Sequence, residues 1–494
     1  MITVLKKYLQ AFFTSIMIVC AASLATPTYA ANDALLELMK ILRDKGSITQ
    51  EEYELLVNAA KAEEEKVETV KQEVKEEVKK DVEKQVAEAT KQLPTITTKD
   101  KIEIVSGDGN FVWKPTGRVL VDWNEINSDT SGAELGSGWE LRRARLGMEV
   151  TLWKHWLGKL EVDFGSTDEK ISVKDAFVGY KDKTGYGDWW VKLGQQHIPF
   201  GWETMSSSNY MTFMERSAYA DGPLQIARHI GASAFTRAES GRWTLHAGVF
   251  GGPANEDPDS CTAADGECDE QWNIAGRVTG IPFMQDETHL LHLGAGVWYR
   301  NPLGSSIKLE QRHGVFHVVD SKPWSLDFAE TVDDIFAYSL ETVGIYGPAH
   351  IKAEYVAWNV NVELGSAFTD DVDLYGWSVE TGWFLTGESK VYDLKKAQFG
   401  GLKPKGIVGH GGIGAWEVGI RFDTLDLNDP DAGAIGGEGD LLTLGLNWYV
   451  NNTMRLMANY KQVLDFECTG GAGDCLRLDG DESSAFLLRG QIYW

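Results

Sequence analysis

Chemistry in this chain would have to begin at its glycine, histidine and cysteine motifs, and most of their spacings argue against catalysis. Gly409-His410-Gly411-Gly412-Ile413-Gly414 satisfies G-x-G-x-x-G, a pattern that cradles phosphate only where a helix follows and presents its N-terminus. The next residues, AWEVGIRFDTLDL, alternate apolar and polar as a strand does, so the motif reads as a turn. His289/His292 and His313/His317 are close pairs, but an H-E-x-x-H metal site needs a helix. On a strand, His289 and His292 point to opposite faces. No G-x-S-x-G, Walker or C-x-x-C-H sequence occurs. These patterns predict no enzyme, no cofactor and no metal centre; a hydrolase site assembled from distant loops stays as a weaker alternative.

The cysteines suggest structure instead. Beyond residue 30 they form two C-x6-C pairs, Cys261/Cys268 and Cys468/Cys475, each in an Asp- and Gly-rich stretch. Four cysteines allow three connectivities. The local bridges Cys261–Cys268 and Cys468–Cys475 are the simplest, and in an oxidising compartment each would staple one surface loop. Asp257, Asp259, Asp265, Glu267 and Asp269 around the first pair leave metal binding as an alternative, although no His joins them.

The first 30 residues have the three parts of a secretory signal: Lys6-Lys7, an apolar run from about Ala11 to Ala25, and small residues before Ala31. Cleavage is expected after Ala30. The competing readings are a retained anchor, with an apolar core shorter than the roughly 20 residues that span a bilayer, and a lipoprotein, for which Val19 before Cys20 is too large. Asp and Glu total 73 against 47 Lys and Arg, a net charge of -26, or -28 once Lys6 and Lys7 leave with the leader. Such a surface repels nucleic acid.

Residues 31–61 read as a short helical hairpin. Leu35, Leu38, Met39 and Leu42 recur at helical spacing, Gly46 stops the first helix, and Thr49 with Glu52 makes a capping box for the second. Over 62–95 the chain is nearly all Glu, Lys, Gln and Val, with Val67, Val70, Val74, Val78, Val82 and Val86 on one stripe. One helix alone cannot bury that stripe, so a self-associating coiled-coil stalk is expected, against a lone solvated helix. Pro94 ends it, and 96–110 reads as a linker.

From 111 to 494 the period changes to two. Val119, Val121 and Trp123 oppose Arg118, Leu120 and Asp122; Leu160, Val162 and Phe164 oppose Lys159, Glu161 and Asp163. A soluble sandwich also alternates. The discriminator is Trp113, Trp123, Trp153, Trp156, Trp189, Trp190, Trp298, Trp358, Trp383, Trp448 and Trp494, which fall near segment ends as interfacial girdles require. The expected fold is an all-β transmembrane barrel of about 16 antiparallel strands over 111–494, in the outer membrane and in contact with its lipid, closing on a strand that ends at Trp494.

Longer strings carry a family resemblance. LRRARLGMEVTLWKHWLGKLEVDF, DAFVGY, VKLGQQHIPFGWE, SSNYMTFMERS, GWSVETGWFLTGESKVYDL, GAWEVGIRFDTLDLND and TLGLNWYVNNTMRLMANY occur in order and together resemble the phosphate-selective (polyphosphate-selective) porin family. The resemblance implies a homotrimer of sixteen-stranded barrels inserted by the barrel assembly machinery, each narrowed by an inward-folded third loop, with basic side chains that attract anions. Glu203, Thr204, Asn209 and Glu215 are the implied constriction-loop residues, and Arg118, Arg142, Arg143 and Arg145 match inward arginines. Leu157, Thr204 and Asn209 stand where phosphate-selective members carry lysine, which puts the phosphate label in doubt. A charged ring at a narrow, low-dielectric passage sets the sign of the permeating ion, so the candidate pore-lining cations are Arg118, Arg143, Arg145, Lys159, Lys174, Lys192, Arg216, Arg228 and Arg277. Glu149, Glu161, Asp163 and Asp175 are expected to share the lumen. The expected function is passive diffusion of small hydrophilic solutes with a preference for anions such as phosphate or carboxylates. The alternative is a barrel that sheathes a partner protein or tethers the envelope.

Overall fold

A strand of alternating character leaves unpaired backbone at its edges, and closing the sheet on itself removes those edges. The computed structural model describes residues 28–91, 93–98, 102–129, 135–165, 171–224, 226–253, 271–302, 307–312, 321–329, 331–363 and 367–494. The Cys261–Cys268 pair and most of the leader lie outside them. Sixteen antiparallel strands form a closed barrel: β1 (Phe111–Asn127), β2 (Gly136–Leu152), β3 (Trp156–Asp163), β4 (Ser172–Thr184), β5 (Gly187–His197), β6 (Arg228–Ala238), β7 (Trp243–Phe250), β8 (Trp272–Asp286), β9 (His289–Asn301), β10 (Val332–Tyr346), β11 (Ala349–Val362), β12 (Val372–Phe384), β13 (Ala415–Asp429), β14 (Ala434–Tyr449), β15 (Met454–Glu467) and β16 (Ser484–Tyr493). Closure is made by β16 pairing back onto β1, from Tyr493↔Arg118 to Ser484↔Asn127. A 13-residue strand such as β12, rising about 3.3 Å per residue and tilted by about 45°, spans roughly 30 Å, the thickness of a hydrocarbon core.

The alternation sorts as the sequence predicts. Val121 is 40% exposed on the outer wall, whereas Leu120 and Asp122 are buried inside. Outward rings cluster at the end of the barrel that carries the short turns, in pairs such as Phe111 with Trp153 (5.2 Å) and Trp416 with Trp448 (5.3 Å). Three expected girdle residues are corrected. Trp190 faces inward, and Trp298 and Trp358 are buried in the lumen with their rings 5.1 Å apart. Position near a strand end does not fix a side, and at that level β9–β11 meet an apolar interior.

Long connections create that interior. The β5–β6 connection (198–227) and the β9–β10 connection, with its hairpin Lys308–Gln311 and Trp324–Asp327, bring Phe200, Tyr219, Leu309, Trp324 and Phe328 against inward residues of β8–β14. From the opposite end the β12–β13 connection (385–414), far longer than its neighbours, places Tyr392, Ala397 and Phe399 against Trp202, Leu290 and Val343. Residues 406–414, including the glycine motif, turn directly into strand β13.

Cys468 and Cys475 are bonded and buried in the β15–β16 loop. Closing so short a loop is worth about 2 kcal/mol. Reduction, or the Cys468→Ser/Cys475→Ser pair, is expected to open this loop to trypsin after Arg477 while the barrel survives. Gel analysis of the fragments checks this.

The described residues up to Leu93 form a separate unit. It contains α1 (Thr28–Asp44) and a continuous 42-residue α2 (Gln50–Lys91). The capping box is made: Thr49 N–H donates to Glu52 Oε2 (2.8 Å) and Glu52 N–H to Thr49 Oγ1 (3.3 Å). Val67, Val70, Val74, Val78 and Val82 are 40–56% exposed. From the last residue of the expected stalk into the expected linker, Thr95–Thr97 pairs with Glu103–Val105 as a small hairpin that extends onto β1.

Candidate functional site

Backbone taken into a barrel lumen loses water and must find partners, and side chains of β11–β16 supply them to the β5–β6 connection. Glu354 accepts from the N–H groups of Trp202 (2.7 Å) and Glu203 (3.0 Å). Asn447 donates to Thr212 O (2.8 Å), Arg455 to Met211 O (2.6 Å), and Arg421 to Glu215 O (2.9 Å) and Arg216 O (3.1 Å). Asn459 accepts from Met214 N–H (2.8 Å), and Asp423 from Ala218 N–H (2.7 Å). The turn into this loop requires glycine: Gly201 has φ +66°, and a Cβ there would stand 2.3 Å from Glu354 Oε1.

Glu215 is the central tie. Arg142 of β2 grips it with two bonds (2.8 and 2.7 Å), and Arg489 of β16 adds a third (2.5 Å) while making two more to Asp122 of β1 (2.8 and 2.6 Å). These guanidinium groups hold the Glu215 carboxyl well below the usual carboxylate range despite its burial. Glu203 pairs with Lys352 of β11, and Arg216 turns back to donate to Glu203 O and Ser206 O (both 2.8 Å).

Among the described residues, an off-centre polar passage of about 920 Å³ lies in the lumen against β1–β6. Of the predicted cations, Arg118, Arg143, Arg145, Lys159, Lys174, Arg216 and Arg228 line it, as do the loop residues Ser206, Ser207, Ser208, Asn209 and Tyr210. Glu149, Glu161, Asp163 and Asp175 line it too. Many charges balance: Arg145 meets Asp163 (2.7 Å) and Glu161 (3.2 Å), Lys159 and Arg228 each meet Asp175 (2.7 Å), and Arg118 meets Glu161 (3.4 Å) and Ser208 Oγ (2.9 Å). Two do not. Among the described residues Lys174 has no ion pair, and Arg143 Nη1 has no hydrogen-bond partner.

Lys192 and Arg277 lie away from this passage. Lys192 faces the lumen on β5 over the rings of Trp190 and Phe177. Arg277 is buried against Glu341 (2.5 Å) and Ala397 O (3.1 Å), so it anchors the 385–414 segment. Of the loop candidates, Thr204 is buried on a short helix (Trp202–Met205) and Asn209 reaches the passage. The sequence reading did not select Arg421, Arg455, Asn447, Asn459 or Glu354 as site residues. Their signal was only a polar residue at an inward position, which does not say what it will meet.

A closed sixteen-strand barrel with an apolar outer band, interfacial rings and a polar passage narrowed by an inward loop defines an outer-membrane porin. Residues 114–464 match the family described as phosphate-selective porin O and P, and the chain belongs to that family. It is 26% identical over 430 residues to Porin O of Pseudomonas aeruginosa, covering 80% of this chain and 91% of that protein. An uncharacterised protein of Caulobacter vibrioides is 29% identical over 379 residues, covering 75% and 72%. Among solved structures, a loop-deletion form of OmpT, an outer membrane protein of Vibrio cholerae, aligns with a TM-score of 0.47 at 16% identity, covering 78% of this chain and all of that one.

Proposed function

We propose that this porin lets small hydrophilic solutes diffuse passively across the outer membrane with anions favoured, as a homotrimer whose N-terminal helices form a periplasmic coiled coil. The carrying observation is the cation excess along the passage, where Arg143 and Lys174 make no ion pair among the described residues. A permeating anion gives up part of its hydration to guanidinium, ammonium and hydroxyl donors in a low-dielectric constriction. Leu157, Thr204 and Asn209 argue for carboxylates and chloride at least as much as phosphate. The exposed valine stripe of α2 supports self-association, since it buries apolar surface only against other copies. Reversal potentials across planar bilayers in a KCl gradient test the preference: chloride should permeate faster than potassium, and the opposite order overturns it.

The preference should also depend on pH. Burial and the neighbouring Glu215 push the Asp221 carboxyl up to about 6, against the opposing pull of Arg142, Arg216 and Arg143. Asp221 is therefore charged at pH 7.5 and neutral at pH 5, and its protonation removes one negative charge from the passage wall. The anion-to-cation permeability ratio is expected to rise as pH falls through 6. Asp221→Asn should flatten that dependence in the same bilayer measurement.

A further inference from the structure

The inner wall of β4–β8 carries a combination of rings and cations that the charged passage does not use. Lys181, Trp190, Phe235, His246 and Arg277 are successive register partners across five neighbouring strands. They face inward, because the alternate residues Val191, Leu193, Leu245 and Val278 are 43–62% exposed on the outer wall. Trp190 and Phe235 stack at 5.1 Å with an interplanar angle of 10°. His246 meets both edge-on, at 4.9 and 5.8 Å. Two residues along β5, Lys192 lies beside Gly179, where a Cβ would stand 3.1 Å from its Cγ. Its Nζ sits 3.8 Å over Trp190 and 4.4 Å over Phe177. Among the described residues Lys192 has no carboxylate partner, and the buried His246 Nε2 has no hydrogen-bond partner.

We infer that this shelf is a second solute-binding site, and that it takes small aromatic carboxylates. An inorganic anion would use the ammonium and leave the rings idle. A neutral sugar would use a ring face and leave the ammonium without a counter-charge. A flat ring bearing a carboxylate satisfies both: its ring packs against the Trp190–Phe235–Phe177 cluster, and its charge meets an ammonium that makes no ion pair among the described residues. His246 contributes a free ring nitrogen beside it. Asp188 and Arg237, nearer the short turns on the same wall, pair with each other, and Arg277 pairs with Glu341, so the shelf cations outside these ion pairs are Lys192 and Lys181.

The site rests on the porin reading only for access to solute. The test uses the full-length protein in detergent micelles, with benzoate, acetate and glucose as probes followed by saturation-transfer NMR, and with KCl conductance in planar bilayers as a parallel readout. Benzoate should bind saturably, about tenfold tighter than acetate, and reduce the conductance. Trp190→Leu should erase that tenfold advantage, and Trp190→Phe, which keeps a ring, should retain most of it. Lys192→Gln should weaken benzoate without strengthening glucose. Equal binding of benzoate and acetate, tighter binding of glucose, or no effect of Trp190→Leu overturns the site. Benzoate binding by a protein that carries no current leaves the site standing and overturns the diffusion reading.

Discussion

Replacing Glu215 by alanine is expected to lower the stability of the native barrel by about 3–5 kcal/mol, the usual cost of removing one member of a buried ion pair, and to raise single-channel conductance. Both effects follow from the same contacts. Glu215 takes two bonds from Arg142 and one from Arg489, so its loss removes the shorter ion pair of buried Arg142, whose other carboxylate, Asp221, stands 3.8 Å away, while Arg489 keeps Asp122. The middle of the constriction loop then loses its hold on the β1–β2–β16 wall, although Asn447, Arg455 and Arg421 still grip its backbone. Glu215→Gln keeps hydrogen-bonding capacity and should lose less. Urea unfolding followed by tryptophan fluorescence, with conductance on the same preparations, checks the pair of effects. A variant with wild-type conductance would show that the loop does not depend on this tie.

Charge reversal at two passage cations that make no ion pair among the described residues, Arg143→Glu with Lys174→Glu, is expected to shift the permeability ratio strongly toward cations, inverting the proposed anion preference. At an effective dielectric constant of 20, a unit charge about 8 Å from a permeating ion contributes about 2 kcal/mol. Reversing two of them therefore changes relative permeability by more than about tenfold, after allowance for screening by salt. The same reversal at Arg145 should do less to selectivity and more to stability, because that side chain already answers Asp163 and Glu161. Reversal potentials of the two variants separate these outcomes. A double variant that still prefers chloride would move the selectivity elsewhere in the passage.

The barrel was legible because its alternation is a local property. Val119 and Val121 against Leu120 and Asp122 fix a face whatever the rest of the chain does. Tryptophan placement was less legible: Trp298 and Trp358 obey the girdle spacing, yet they are buried because the β9–β10 connection covers them with apolar residues. The sequence offers no local sign that a loop turns inward. Of the nine cations selected from the sequence, seven border the charged passage. Arg277 lies elsewhere because its placement depends on Glu341 and Ala397, 64 and 120 residues away. The clamps on the loop backbone escaped for a related reason. An inward Asn459 looks the same in sequence whether it meets water or Met214 N–H.

Arg489 has a consequence for assembly. It stands on the last strand, reaches Asp122 on the first, and holds Glu215 in between. The seam of the cylinder and the seat of the constriction are thus one residue, and a half-closed sheet has no finished seat. The inner apolar core must already lie inside the curl of strands when that final pairing forms, because once the hoop is shut a 30-residue segment can no longer be tucked in from the side. Completion of the wall and calibration of the opening are a single event, so an intermediate stalled before the last strand would be misgated as well as unfinished.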